Sequence, residues 1–462
     1  MAPKFGTRGL RGLVTELTDD LVADYTRAFL AACPHGGRVF VARDLRESSP
    51  RIAEAVIAAA RGEGVDVVRA GMLPTPALAL ASMGAGAAAI MVTGSHIPAD
   101  RNGLKFYLPG GEVSKNDEAR IVAALGRPAA GRSGGVSEGE GIAGAYVDRY
   151  VGAFGAEALG GLRIGVYQHS SAARDLLCEI VARLGAEAVP LARSATFVPV
   201  DTEAVDPETT QRLAAWCLEH RLDAVVSTDG DADRPMVADH TGRIVPGDVL
   251  GPLTAGLLSA DVLCTPVSSN TAVDHMGFAR VVRTRIGSPY VIAAMEAALA
   301  ADPAARVAGY EANGGFLLGF EAEGPAGGLP PLATRDSVLP VVAPLARARA
   351  EGRTLAGLVS TLPPRFTAAD RITGIDTDRA REFLAAMRAD PARRAAFFDA
   401  LPPEEAIDET DGLRVTFEGG AILHLRPSGN APEFRCYAEA ASAEAAQTLL
   451  ARHLGKLGTE VG

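Results

Sequence analysis

At 462 residues the chain exceeds what one hydrophobic core can hold, so several domains are expected. Its 48% hydrophobic and 22% charged content excludes a disordered or fibrous chain, and a net charge of -11 without a clustered Lys/Arg stripe argues against a nucleic-acid surface. The start MAPKFGTRGLRG lacks the apolar run of a secretory signal, no segment reaches membrane-spanning length, and five scattered cysteines fit a reducing compartment. A cytoplasmic protein with no membrane partner is expected.

From Arg38 the chain alternates β-rich apolar runs with Ala/Leu helical stretches, as in RVFVARD, SPRIAEAVIAAARGEG and VDVVRAG. Such alternation predicts βαβ units on a mostly parallel sheet. The run AAAIMVTGSHIP predicts a buried central strand over Ala87 to Val92, with Ser95 just beyond its carboxyl end, where open α/β sheets place ligands. The Gly/Pro/Ser-rich stretch from Gly126 to Gly141 reads as a linker or surface excursion. A second α/β unit follows, and its strand LDAVVST ends in the acidic loop DGDADRP. A third runs from the strand DVLCTPVSS through the helix VIAAMEAALA to two strands around the polar turn of ARVAGYEANGGFLLG. From Arg365 the pattern changes to a helix near Arg379 to Met387, strands near Leu413 to Arg426 and Glu433 to Ala438, and a final amphipathic helix, which predicts a smaller α+β domain.

Three loops carry chemistry. Asp229, Asp231 and Asp233 alternate immediately after an apolar strand, offering three hard oxygen donors to one divalent cation; the alternative is a solvated acidic turn. Arg234 at the sixth position and His240 at the twelfth argue against an EF-hand and favour magnesium. MVTGSHIPADRNGLKFY places a hydroxyl, an imidazole and an amine, Ser95, His96 and Lys105, within reach of phosphoryl chemistry, although a serine beside glycine also suits an ordinary turn. LHLRPSGNAPEFR gathers Arg426, Ser428, Gly429 and Asn430 after a strand predicted over Ala421 to Leu425, a suitable phosphate cradle or a plain Pro/Gly hairpin. Glu311 and Asn313 offer an acceptor and an amide suited to sugar hydroxyls.

In this order, FGTRGLRG, TGSHIPADRNGLKFY, DGDADRP, GYEANGGF and RPSGNAPE resemble the successive signatures of the α-D-phosphohexomutase family, over nearly the whole chain. The resemblance implies three similar mixed or parallel-sheet α/β domains and a smaller C-terminal α+β domain around a central cleft, divided here at 1–150, 151–247, 248–363 and 364–462, each with one active-site loop. It implies a phosphorylated Ser95; magnesium on Asp229, Asp231, Asp233 and a Ser95 phosphate oxygen; and Arg234 beside the transferred group. Arg11, Lys105 and His96 join the catalytic set, Glu311 and Asn313 read the sugar, and Arg426, Ser428, Gly429 and Asn430 hold the distal phosphate. The implied reaction interconverts hexose 6-phosphate and hexose 1-phosphate through a sugar 1,6-bisphosphate, which also serves as activator. The partner is a small phosphosugar and the chain a monomer or weak homo-oligomer.

The sequence departs from the family pattern at three points. E-A-N-G-G stands where many members have E-x-S-G-H, putting Asn313 for serine and Gly315 for histidine; Asn430 stands where threonine is common, and Ile97 where asparagine is frequent. The E-A-N-G-G loop and S-H-I-P-A-D-R-N-G-L-K favour mannose phosphates, with glucose or glucosamine phosphates as alternatives. Two rival readings use the same residues: a phosphatase with Asp229 as nucleophile, disfavoured by the third acid and the separate serine loop, and a non-catalytic phosphosugar-binding protein.

Overall fold

The computed structural model describes residues 3–6, 9–428 and 432–461. The chain packs as two compact units, one built from the residues up to Cys264 together with Gly287–Val359, the other from Thr265–Ile286 together with the residues from Ser360 on. Among the described residues no helix is long and apolar enough to cross a membrane.

The larger unit carries three main sheets, and the first shows why the apolar runs are so continuous. Its strands lie in the order Lys4–Gly6, Gly9–Leu13, Arg101–Leu108, Ala88–Val92, Arg38–Arg43, Asp66–Met72 and Val136–Glu138. Arg38–Arg43 runs parallel to both Ala88–Val92 and Asp66–Met72, with helices Ser49–Gly62 and Thr75–Gly84 as crossovers. Side chains alternate between two faces along a strand. Here Val39, Val41, Ile90 and Phe106 enter one core, while Phe40, Ala42, Met91 and Tyr107 enter another, so both faces are covered and the central strands read as near-continuous apolar runs. Each of the buried Val, Ile, Phe and Met side chains contributes roughly 1.5–3 kcal/mol. The stretch 126–141 is largely exposed, yet Val136–Glu138 within it pairs parallel to Asp66–Met72 as an edge strand. The surface excursion thus includes one edge strand that the sequence did not reveal, because a ladder of backbone hydrogen bonds needs no apolar side chains.

In the second sheet Glu187–Arg193, Arg163–His169 and Ala224–Thr228 run parallel, and Pro235–Asp239 then returns antiparallel with Thr228 opposite Pro235. The third includes Val262–Pro266 parallel to Val307–Tyr310, followed by antiparallel Phe316–Leu318 and Leu332–Asp336. One local move therefore recurs three times. A fully buried strand, Ala88–Val92, Ala224–Thr228 or Val307–Tyr310, leads into a polar loop and comes straight back antiparallel, as Arg101–Leu108, Pro235–Asp239 or Phe316–Leu318. Residues 93–100, 229–234 and 311–315 are those loops.

The smaller unit holds an antiparallel sheet in the order Phe366–Thr373, Glu433–Ala440, Ile422–Pro427, Leu413–Phe417 and Glu404–Asp408. Val415, Leu423, Leu425, Phe434 and Cys436 face Phe383 and Met387 of helix Thr377–Ala389 and Leu450 and Leu457 of helix Ala443–Val461. Phe366–Thr373 escaped the sequence reading because FTAADRIT is mostly solvent-facing and carries Asp370 and Arg371. The segment Thr265–Ile286 is tied in by carboxylates: Glu439 accepts from the Thr271 N–H and from Arg365 Nε, the latter at 2.6 Å, and Asp411 accepts from the Ile286 N–H at 2.9 Å.

Candidate active site

The serine loop is held from beneath. Asp44, just after the strand Arg38–Arg43, accepts from Thr93 Oγ1 at 2.8 Å and Arg46 Nε at 3.1 Å, and Thr93 Oγ1 in turn accepts the Ser95 N–H at 2.8 Å. The buried Arg46 guanidinium donates to the carbonyls of Ser95 (2.9 Å), Ile97 (2.6 Å), Pro98 (2.7 Å) and Arg101 (3.1 Å), and lies 3.9 Å over the Phe197 ring. A Cβ at Gly94 would meet Arg46 Cζ at 2.7 Å, so that glycine is what lets the guanidinium close on the loop. These bonds keep Ser95 at φ 55°, in the left-handed region that a serine rarely adopts unaided. Ser95 is 1% exposed, and its Oγ donates to Asp229 Oδ2 at 2.6 Å.

One carboxylate oxygen from each of Asp229, Asp231 and Asp233 lies within 4.8 Å of the others, and all three residues are buried. Asp229 Oδ1 accepts the N–H groups of Asp233 and Arg234 at 3.1 and 3.3 Å. Asp231 Oδ2 accepts from Thr75 Oγ1 and Lys105 Nζ, each at 2.5 Å, and Asp233 Oδ2 accepts from Lys105 at 2.6 Å and from Arg335. Lys105 reaches them because its strand returns beside Ala88–Val92, with Lys105 opposite Met91. Burial works against ionising Asp231, but the charge and hydrogen bond of Lys105 and the hydroxyls of Thr75 and Ser95 outweigh it and hold its carboxyl below the usual range. At Asp229 burial and then the charges of Asp231 and Asp233 prevail, and its carboxyl is raised. A carboxylate so disfavoured is relieved by a cation, and Asp231 Oδ1 is buried without a hydrogen-bond partner among the described residues. The triad fits a metal ion with a preference for oxygen ligands.

His96 places Nδ1 3.1 Å from Arg234 Nη1 and 3.4 Å from Ser95 Oγ. Burial, then the charges of Arg234 and Arg11, lower its pKa to about 2. Those surroundings favour the neutral ring, whose Nδ1 accepts from Arg234. Burial opposes the Arg234 charge, but Glu203, Asp229 and Asp233 outweigh it and raise its pKa further. Arg11 lies on Gly9–Leu13, opposite Gly103 of the strand that carries Lys105.

Glu311 and Asn313 are both buried in the third loop. Asn313 Oδ1 accepts the Gly315 N–H at 3.0 Å, which closes the turn and leaves its amide nitrogen as the end suited to a ligand. Glu311 Oε2 faces Arg335 Nη1 at 3.4 Å. The larger unit thus brings together Ser95, His96, Lys105, the three aspartates and Arg234 by direct contacts, and joins Glu311 to them through Arg335. In the smaller unit Arg426 ends the strand Ile422–Pro427, half-buried, with Nε 3.0 Å from Asp411 Oδ1, and the Ser428 N–H donates to Glu433 O at 2.8 Å. Gly429 and Asn430 lie outside the described residues.

Sequence reasoning missed Asp44, Arg46, Thr75 and Arg335, and with Arg335 the Glu112 carboxylate that lies 3.9 Å from its Nε. The one available signal was position: Asp44 follows a strand's carboxyl end as Ser95 and Asp229 do, and Arg335 is a charge near the end of the strand Leu332–Asp336, shortly before the helix Leu339–Ala350.

Family models for phosphoglucomutase/phosphomannomutase match in series: α/β/α domain I at residues 2–130, domain II at 144–242, domain III at 247–366 and the C-terminal domain at 377–455. The chain belongs to this family, the α-D-phosphohexomutases. It is 45% identical to a phosphomannomutase of Sinorhizobium fredii, covering 100% of both chains, and 41% identical to a phosphomannomutase of Salmonella muenchen, covering 99% of this chain and 96% of that one. The crystal structure of a phosphoglucomutase/phosphomannomutase family protein from Burkholderia thailandensis shares the fold, with a TM-score of 0.78, 23% identity and coverage of 99% and 96%.

Proposed function

We propose that this chain is a magnesium-dependent phosphomannomutase that works through a phosphorylated Ser95. The observation that carries the reading is the Ser95 hydroxyl donating to Asp229 at 2.6 Å inside a buried triad of carboxylates. Asp229, Asp231, Asp233 and a Ser95 phosphate oxygen would hold magnesium. When bound, the ion withdraws charge from the transferred oxygens.

The phosphoserine O–P bond breaks as a hexose monophosphate hydroxyl oxygen bonds to phosphorus; the hydroxyl loses its proton and the Ser95 oxygen gains one. Arg234 and Lys105 stabilise the charge in transit, Lys105 and Arg11 support the proton transfers, and neutral His96 keeps Arg234 oriented. The product is a sugar 1,6-bisphosphate, which turns over so that Ser95 takes back the other phosphate. Glu311 and the Asn313 amide read sugar hydroxyls, while Arg426, Ser428, Gly429 and Asn430 hold whichever phosphate is not reacting. The two full-length phosphomannomutase relatives support mannose as the sugar, and five free cysteines suit the cytoplasm.

The test is an assay with magnesium and a trace of sugar 1,6-bisphosphate on mannose, glucose and glucosamine 1-phosphates, comparing kcat/KM. Mass spectrometry should find phosphate on the Ser95 peptide, chased off by substrate. Hydrolysis that survives Ser95→Ala would sink the mutase reading in favour of an aspartate-nucleophile phosphatase.

A further inference from the structure

Arg335 is 0% exposed at the end of the strand Leu332–Asp336. A guanidinium so buried is strongly unfavourable unless paired. It meets carboxylates from three separate segments: Nη2 donates to Asp233 Oδ2, Nη1 stands 3.4 Å from Glu311 Oε2, and Nε lies 3.9 Å from Glu112 Oε1. Glu112 is itself fixed by the hydroxyls of Ser288 and Thr334, each at 2.9 Å.

The stem of Arg335 needs room, and one residue provides it. A Cβ on Gly315 would lie 2.8 Å from Arg335 Cδ and 3.1 Å from both Arg335 Cγ and the Asp233 carbonyl oxygen. Gly315 is not among the residues with positive φ, so its backbone conformation does not demand glycine; the space does.

We propose that Arg335 is a positioning residue that ties the aspartate loop to the Glu311 loop, and that Gly315 is the gap its side chain requires. The inference rests on the reading above in taking Asp233 as a metal ligand and Glu311 as a sugar contact. One guanidinium then orients both, as an outer partner orients a ligand it does not replace. Lysine cannot do the same, because a single ammonium lacks the planar fork that spans two carboxylates.

The experiment uses the full-length protein with Mn²⁺ as the probe. Binding of Mn²⁺ is followed by electron paramagnetic resonance, alongside melting temperature and separate kcat and KM for mannose 1-phosphate. Arg335→Lys keeps a buried positive charge and should fold. It should weaken Mn²⁺ binding and raise KM by about 10- to 100-fold each. Gly315→Ala should reproduce those losses by displacing the arginine, and the double variant should be no worse than Arg335→Lys alone, since both changes disturb one element. Wild-type Mn²⁺ affinity and KM in Arg335→Lys, or losses that simply add in the double variant, would overturn the proposal. A purely structural arginine would lower the melting temperature and leave Mn²⁺ affinity unmoved, which overturns it equally. If the unmodified protein shows no mutase turnover, the reaction assignment falls, but Mn²⁺ affinity and the additivity of the two substitutions still decide the role of Arg335.

Discussion

The loop carrying Ser95 and the strand end carrying Arg426 are both read as phosphate-handling elements, yet they are built in opposite ways. Ser95, Asp229, Asp231, Asp233 and Lys105 are buried and already bonded to one another, with Lys105 held between Asp231 and Asp233 and the Ser95 hydroxyl on Asp229 before any substrate arrives. Arg426 sits half-buried at the end of an antiparallel strand, paired to the partly exposed Asp411. The difference follows from the two tasks. Making and breaking bonds favours dipoles and charges that need no rearrangement at the moment of reaction, and low dielectric amplifies them. Gripping a phosphate that must be exchanged favours a cation that water can reach.

The largest expected effect tests whether the bond chemistry belongs to the buried set. Ser95→Ala should lower mutase kcat by at least about 10⁴-fold, measured in a coupled assay, with little change in melting temperature. Residual turnover near wild type would dissolve the contrast. Next is Lys105→Met, which removes a buried cation from Asp231 and Asp233. It should destabilise the larger unit by about 3–5 kcal/mol in denaturant titration. Saturating magnesium should recover part of that loss, and no recovery would argue that the triad does not hold the ion.

Much of this buried set was legible in the sequence, for a local reason. A strand covered on both faces reads as a near-continuous apolar run, so AAAIMV and AVVST mark the sheet centres, and the polar residues that follow mark the loops. What holds those loops was not legible, because the partners are distant in the chain: Thr75 lies 156 residues from Asp231 and Arg335 lies 102 from Asp233. Gly315 illustrates the limit best. In the sequence it is a departure that bears on sugar preference, and in three dimensions it is the room that an arginine occupies. Phe366–Thr373 was hidden differently, since a largely exposed edge strand leaves no apolar signature.

Two of the buried histidines, His169 in the larger unit and His424 in the smaller, make the stability of both units depend on pH. His169 donates from Nε2 to the Thr228 carbonyl at 2.9 Å, and His424 donates to the Asp411 carbonyl at 2.5 Å. Burial lowers the pKa of each from 6.5 to about 4. The unfolded chain therefore binds the proton first. The stability of the neutral form is complete above about pH 6.5 and is lost as pH falls toward 4, by on the order of 3 kcal/mol for each residue. His169→Gln and His424→Gln should each flatten that slope in denaturant titrations across this window; an unchanged slope in both would refute the burial argument. The smallest effect belongs to Arg426→Ala. Its partly exposed ion pair should contribute less than about 1 kcal/mol to stability, while KM for the phosphosugar should rise about 10-fold. A large drop in melting temperature would mean that Arg426 is built into the fold as firmly as Lys105.

The strand, loop and return strand that recur in all three sheets of the larger unit have an evolutionary reading. Each stem is locked by buried pairing on both sides of its loop, so a loop can be rewritten while the frame that aims it stays fixed. On the sugar-reading role proposed for Glu311 and Asn313, sugar preference can drift by changing the five residues 311–315 while the strands on either side stay paired. Here, however, such a graft travels as a pair, because any larger residue brought in at Gly315 must come with a replacement for Arg335.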